Sequence, residues 1–209
     1  MAIMVEHDKR RKQILRKALD VFIEEGFEAA SYQKIADRCK ITRTTLYLYF
    51  RNRQDIFNFS IKQFMLELEH DIIKVKDNTS LPYPAKIKKT LSLIFTRLEE
   101  NRRLLSIVLD YLLTKNPEKQ KAKKTISSKI EILPDTRVRR RTIRLRHILS
   151  AMIIAGIKTG QLKKVDIGTA NDLFFSLIEA GVIRLTVYRR ESIADLNKIV
   201  ELIVEGLKS

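Results

Sequence analysis

Residues 35–57, IADRCKITRTTLYLYFRNRQDIF, decide the fold. Ser31 lies just upstream of the apolar pair Ile35 and Ala36. A serine there can cap a helix, because its hydroxyl accepts an N–H that the first helical turn leaves without a partner. Cys39, Lys40 and Ile41 leave room only for a tight connection. Thr42 caps a further helix carrying Leu46, Tyr47, Tyr49 and Phe50. Asn52 reads as a turn or cap. Upstream, Ile14, Leu15, Ala18, Leu19, Val21, Phe22 and Ile23 recur at intervals of three and four, the pattern of a helix with a wide apolar stripe. Gly26 stops that helix, since glycine suits the left-handed C-terminal position best. Lys9–Ile56 therefore reads as helices of about 18, 8 and 9 residues with short turns, the layout of a helix-turn-helix behind a supporting helix.

Downstream, Ile56, Phe64, Leu68 and Ile72 mark one long helix ending near Lys76. Proline is disfavoured inside helices, so the four prolines divide the remainder of the chain. Pro82 and Pro84 precede a helix over about 85–99, Pro117 comes after one over 102–114, and Pro134 precedes one over 136–159. Gly160 ends the last of these. A helix from Asp166 or Gly168 to Arg189 and another from Ser192 to Leu207 complete the chain. No segment alternates as a strand would, and no internal repeat is evident. The expectation is an all-α protein: a three-helix unit over 1–55 and a helical domain over 56–209.

Lys and Arg number 41 against 25 acidic residues, a net charge of +16. An excess of this size favours a polyanionic partner, most simply nucleic acid or an anionic membrane surface; the plainer alternative is a basic protein with no such partner. The excess is uneven: residues 115–146 hold 12 basic and 3 acidic side chains, net +9. The plainest reading of that segment is a solvated loop; a rim selecting an anionic ligand and direct DNA contact are the others. The single cysteine, Cys39, excludes an internal disulfide and fits a reducing cytoplasm. Residues 1–11 lack the apolar run of a signal peptide. The apolar stretch Ile148–Ile157 is too short to span a bilayer, so neither a membrane span nor a membrane partner is expected.

Catalysis has no positive support. No Ser–His–acid set, glycine-rich phosphate loop or paired cysteine motif occurs. His70 stands near Glu67 and Asp71, a spacing able to hold a metal, but an exposed helix of mixed charge is the commoner meaning of such a pattern. Neither a metal nor a cofactor is expected.

The run from Ile35 to Phe57 resembles the signature of the tetracycline-repressor (TetR) family of bacterial transcription regulators. Ile35, Ala36, Leu46, Tyr47, Tyr49, Phe50, Asp55 and Ile56 match its pattern, and ILRKALDVFIEEGF, residues 14–27, is similar to its first helix. The resemblance is specific over about the first 60 residues and extends beyond them only in length and helical character. Lys40 stands where the family often has glycine, and Arg53 where it often has lysine. A left-handed residue at position 40 costs about 1 kcal/mol without glycine.

The resemblance implies roles by position. Ser31 and Tyr32 would touch backbone phosphate at the start of the second helix. Thr42, Arg43, Thr44 and Thr45 would face the groove, Tyr47 would reach phosphate through its hydroxyl, and Arg53 would anchor the far end. The residues agree, since helix N-termini capped by Ser or Thr are ready anion sites. Tyr49 and Phe50 read instead as core, because aromatic pairs at helix ends usually bury. The resemblance also implies a C-terminal domain that binds a small-molecule effector and pairs with a second copy. Pocket candidates are Phe64, Phe95, Leu98, Val108, Tyr111, Met152, Phe174 and Phe175, each of which could equally be plain core. Dimer-interface candidates are Leu173, Leu177, Gly181, Ile199 and Ile203.

These readings point to a ligand-responsive regulator, a repressor acting as a homodimer on palindromic double-stranded operator DNA. The effector is not legible. The alternatives are a helical nucleic-acid-binding protein without ligand switching and a helical enzyme.

Overall fold

The computed structural model describes the backbone of residues 2–114, 136–188 and 193–209, and the side chains of 6–109, 140–187 and 193–209. Among the described residues every extended element is helical. In chain order they are α1 (Ala2–Ala29), α2 (Tyr32–Cys39), α3 (Arg43–Tyr47), α4 (Arg53–Asp77), α5 (Tyr83–Glu100), α6 (Arg102–Thr114), α7 (Thr136–Lys158), α8 (Ile167–Ile183) and α9 (Ile193–Leu207), with a π-helical turn at Arg184–Tyr188. The expected all-α architecture is the one observed. Tyr111 and residues 115–135, which hold most of the basic segment, lie outside the described side chains.

The chain divides into two compact units: Met1–Met65 with Ser106–Arg139, and Leu66–Leu105 with Arg140–Ser209. The line falls inside α4, whose first half belongs to one unit and second half to the other.

In the first unit, Ile14, Ala18, Val21 and Phe22 of α1 are buried, as their spacing requires. Phe22, Phe27 and Phe57 form an aromatic triangle with ring centroids 5.0–5.8 Å apart. α1 breaks at Gly26, at φ 79 and ψ 166. This is not the left-handed helical position foreseen from the sequence. It is the extended region at positive φ that is open essentially to glycine alone. The broken helix lets Phe27 turn back into the core.

The expected caps form. Ser31 Oγ accepts from Lys34 N–H at 3.2 Å, Thr42 Oγ1 from Thr45 N–H at 3.1 Å, and Asn52 Oδ1 from Asp55 N–H at 2.7 Å. Lys40 takes φ 56 and ψ 46, the left-handed turn that the family usually gives to glycine. Its N–H is satisfied by carbonyls of α2, which offsets the conformational cost.

In the second unit α5 packs against α8 and α9. α5 begins at Tyr83, with Pro82 at its N-cap and Pro84 inside the first turn, where a missing N–H costs nothing. Ion pairs tie the second half of α4 to its neighbours. Glu69, 5% exposed, is held by Arg141 at 2.8 Å and Arg144 at 3.0 Å from α7. Asp71 is held by Arg97 of α5 at 2.6 Å, which keeps its carboxyl below the usual carboxylate range. Asp166 caps α8 by accepting from Thr169 N–H at 2.7 Å. No helix among the described residues is long and apolar enough to cross a membrane.

Candidate nucleic-acid interface

The third helix is shorter than its pattern suggests. It holds only Arg43–Tyr47, because the chain tightens after Tyr47: Leu48 N–H donates to Thr45 O at 3.2 Å and Tyr49 N–H to Leu46 O at 3.1 Å. One side of this turn is anchored by Leu46, fully buried, and Phe50, 1% exposed. The other side presents Arg43, Thr44, Tyr47 and Leu48 to solvent. These four form two pairs at a spacing of four, so they share one face. Tyr47 is 51% exposed and Leu48 75%. Exposed apolar area of this kind on a short polar helix is what a thymine methyl or a sugar edge can cover. Leu48 was not among the sequence candidates; its place beside the buried Leu46 was the signal.

The hydroxyls of Thr42 and Thr45 lie 2.8 Å apart and cap the helix together, leaving Arg43 and Thr44 to project. Among the described residues Arg43 has no ion-pair partner. The neighbouring cations of α2 are engaged: Lys34 pairs with Glu25, and Arg38 forms a two-pronged contact with Glu24. Both are solvent-exposed pairs that join α2 to α1.

Two expected phosphate contacts are turned inward. Arg53 donates to the carbonyls of Glu28 at 2.6 Å and Ala30 at 3.3 Å, and pairs with the Glu28 carboxylate at 3.1 Å. Its guanidinium also lies over the Phe27 ring at 4.4 Å. Glu28 O lies in the last turn of α1 and Ala30 O just beyond it, where a helix end leaves carbonyls without intrahelical partners, and Arg53 supplies their donors. In this geometry Arg53 fastens α4 to α1 rather than reaching outward. Tyr32 likewise donates its hydroxyl to Phe50 O at 2.7 Å. Its ring stacks on Tyr47, with centroids 4.5 Å apart and planes 17° apart. Burial, reinforced by Tyr47 and Asp55, pushes the Tyr32 phenol up to about 12. Tyr49 is half-buried and stacks on His7 at 4.6 Å. Arg11 lies over Phe50 and Phe59, at 5.3 and 4.1 Å, so the start of α1 also supports the end of the unit. Cys39 is buried, and that burial holds its thiol protonated by pushing it up.

The pocket candidates scatter. Phe95, Leu98, Met152, Phe174 and Phe175 are all buried in the second unit, while Phe64 and Val108 are half-buried in the first. A surface cleft of about 480 Å³ lies between Pro82, Pro84, Lys88, Gln161, Val204 and Lys208, and none of the candidates lines it. Among the described residues no cluster of three His, Cys, Asp or Glu side chains could hold a metal ion.

The dimer candidates separate. Leu173 is 46% exposed, and Leu177, Ile199 and Ile203 are half-buried. Gly181 is buried, and a Cβ there would sit 2.4 Å from Cε1 of Phe95. Gly181 thus lets α8 approach α5 within one unit. Ile183 and Val187, 46% and 56% exposed, and Leu202 of α9, 74% exposed, were not foreseen.

Residues 14–58 match a family described as bacterial regulatory proteins, tetR family. Over 203 residues the chain is 25% identical to a Bacillus subtilis (strain 168) protein named fatty acid metabolism regulator protein, covering 93% of this chain and 94% of that one. In structure, the transcriptional regulator FadR from Bacillus subtilis in complex with stearoyl-CoA aligns with a TM-score of 0.72 at 22% identity, covering 94% of this chain and 98% of that chain. A TetR transcription regulator from Haloarcula marismortui aligns with a TM-score of 0.77 at 18% identity, over 97% and 100% of the two chains. At these identities the two solved structures speak for the fold.

Proposed function

The chain belongs to the tetR family of bacterial regulatory proteins, and from that premise we propose that it is a cytoplasmic homodimeric repressor, released from a palindromic operator by a long-chain acyl thioester. Residues 1–55 bind DNA, and residues 56–209 bind the effector and the second copy. The observation that carries the DNA part is the face of α3, where Arg43, Thr44, Tyr47 and Leu48 project from a helix anchored by buried Leu46. A guanidinium at a helix start has the fork geometry for guanine O6 and N7, and short hydroxyls suit phosphate or base edges.

The effector class rests on the similarity to a fatty acid metabolism regulator across nearly the whole of both chains. The apolar, aromatic interior of the second unit, built on Phe95, Leu98, Met152, Phe174 and Phe175, has the chemistry to surround an acyl chain. Pairing of two copies is supported by the exposed Leu173, Ile183 and Val187, which lie along α8 and its π-helical extension at helical spacing, and by Leu202. Palindromic half-sites mirror such a two-fold protein.

Selection of bound sequences from a random DNA pool tests the operator. Recovery of a palindrome supports the reading, and retention of unselected DNA with no sequence preference favours a general nucleic-acid binder instead. Thermal shift with stearoyl-CoA, octanoyl-CoA and free CoA tests the effector. A rise in melting temperature only with the long chain, together with loss of operator binding, is the expected pattern. Binding and release are reciprocal: whatever factor the thioester takes from operator affinity, operator takes from thioester affinity.

A further inference from the structure

We infer that Tyr32 is a positioning residue for DNA recognition, its ring and hydroxyl bracketing the end of α3 so that Tyr47 is presented in one orientation. The inference rests on the proposed DNA-binding function and changes the role that position suggested for Tyr32.

The need arises from the length of α3. Five residues make little more than one turn, and a helix so short does not persist by its own hydrogen bonds. Its Thr45 and Leu46 carbonyls accept only from Leu48, Tyr49 and Phe50, in the tight turn that follows it, so its end depends on where that turn is held. Tyr47 stands at its final residue and is 51% exposed, so little of its side chain is held by burial. Two contacts from outside meet this need, and both come from one residue. The Tyr32 ring lies nearly parallel to that of Tyr47, 4.5 Å between centroids and 17° between planes. The Tyr32 hydroxyl donates to the carbonyl of Phe50 at 2.7 Å, three residues beyond Tyr47.

Tyr32 is itself fixed. It is the first residue of α2, next to the Ser31 cap, and Phe50 is anchored by its buried ring. The stack therefore joins the start of α2 to the end of α3 across Tyr47. A hydroxyl already donating to a carbonyl is not free to donate to phosphate, so Tyr32 acts through Tyr47. Burial keeps the phenol neutral to about pH 12, so the bracket persists across the physiological range. A side chain held in its bound orientation before DNA arrives loses less freedom on binding, which raises affinity without a new contact.

The test is a double-mutant cycle on an operator fragment taken from the pool selection, together with proton NMR of the free protein. Tyr47 ring resonances are assigned by their absence in Tyr47→Phe. In the free wild type they are expected upfield of ordinary tyrosine positions, through the ring current of Tyr32, and in Tyr32→Leu they return to those positions. Tyr32→Leu is expected to weaken operator affinity about 5-fold, and to cause less than a 2-fold change once Tyr47→Leu is present, a coupling within the usual range for touching residues. If Tyr32→Leu does not fold, Tyr32→Phe takes its place in the cycle. It keeps the ring, removes only the donor to Phe50, and is expected to weaken binding about 2-fold, an effect abolished by Tyr47→Leu. Additive losses, or Tyr47 resonances already unshifted in the wild type, overturn the positioning role. Additive losses with a wild type that does select a palindrome overturn it alone. A wild type that retains no DNA overturns both it and the function on which it rests.

Discussion

Replacing Gly181 with alanine separates packing within a unit from pairing between subunits. The added Cβ would lie 2.4 Å from Cε1 and 3.0 Å from Cδ1 of Phe95. Ordinary carbon contacts fall at about 3.5–4.0 Å, so the overlap is close to 1 Å. Phe95 is fully buried in a close-packed interior, so relief requires its ring to be displaced or α8 to shift away from α5. Overpacking of this kind costs about 1–3 kcal/mol. Alanine also gains up to about 1 kcal/mol over glycine from helix propensity, so the comparison needs a control in which only propensity changes. Gly206 supplies it, being exposed near the end of α9 with nothing within 4 Å of its added Cβ. At equal protein concentration, Gly181→Ala should melt below Gly206→Ala by about 2–12 °C, taking 2–4 °C per kcal/mol for a chain of this size. Sedimentation should show both variants in the wild-type assembly state. A Gly181→Ala protein as stable as Gly206→Ala would refute the packing argument. One that kept its stability but lost its partner would return Gly181 to the interface.

Gly26→Ala places a side chain at φ 79 and ψ 166, which should lower unfolding free energy by about 1–3 kcal/mol in urea titrations; an unchanged midpoint would mean that α1 does not break there. Arg43→Ala should relax preference at one base per half-site, at a cost of about 1–3 kcal/mol in competition binding; equal weakening on every sequence would place Arg43 on phosphate. Leu173→Glu puts a charge on the exposed stripe of α8 and should abolish dimer and operator binding together while the monomer stays folded. Sedimentation showing the wild-type dimer would sink that surface as the interface. The Asp71 carboxyl, held low first by its hydrogen bond from Arg97, stabilises the fold above the unfolded carboxylate value near pH 4. That contribution disappears as pH falls through the lowered folded value. Asp71→Asn should therefore flatten the acid limb of a stability profile, by under about 1 kcal/mol because Arg97 is 40% exposed.

The elements legible from residue order are those that local chemistry controls. The caps at Ser31, Thr42 and Asn52 form through bonds three residues long. The proline and glycine breaks act on their own backbone, and the apolar spacing of α1 selects a buried face whatever it packs against. For the same reason the projecting Arg43 and Thr44 were readable, since their neighbours Thr42 and Leu46 orient them. Where a side chain had a choice of distant partners, sequence was silent. Arg53 bears a charge that could serve phosphate, and only the packing of the start of α4 against the end of α1 puts the Glu28 and Ala30 carbonyls, 25 and 23 positions away, within its reach. Tyr32 could face solvent until the end of α3 comes to rest against it, 18 positions from its acceptor Phe50. Gly181 offers a close approach to any helix, and only the packing of α8 on α5 decides that Phe95 fills it. Periodicity states which face of a helix is buried; which neighbour buries it depends on contacts between residues far apart in the chain, and only the tertiary structure brings those together.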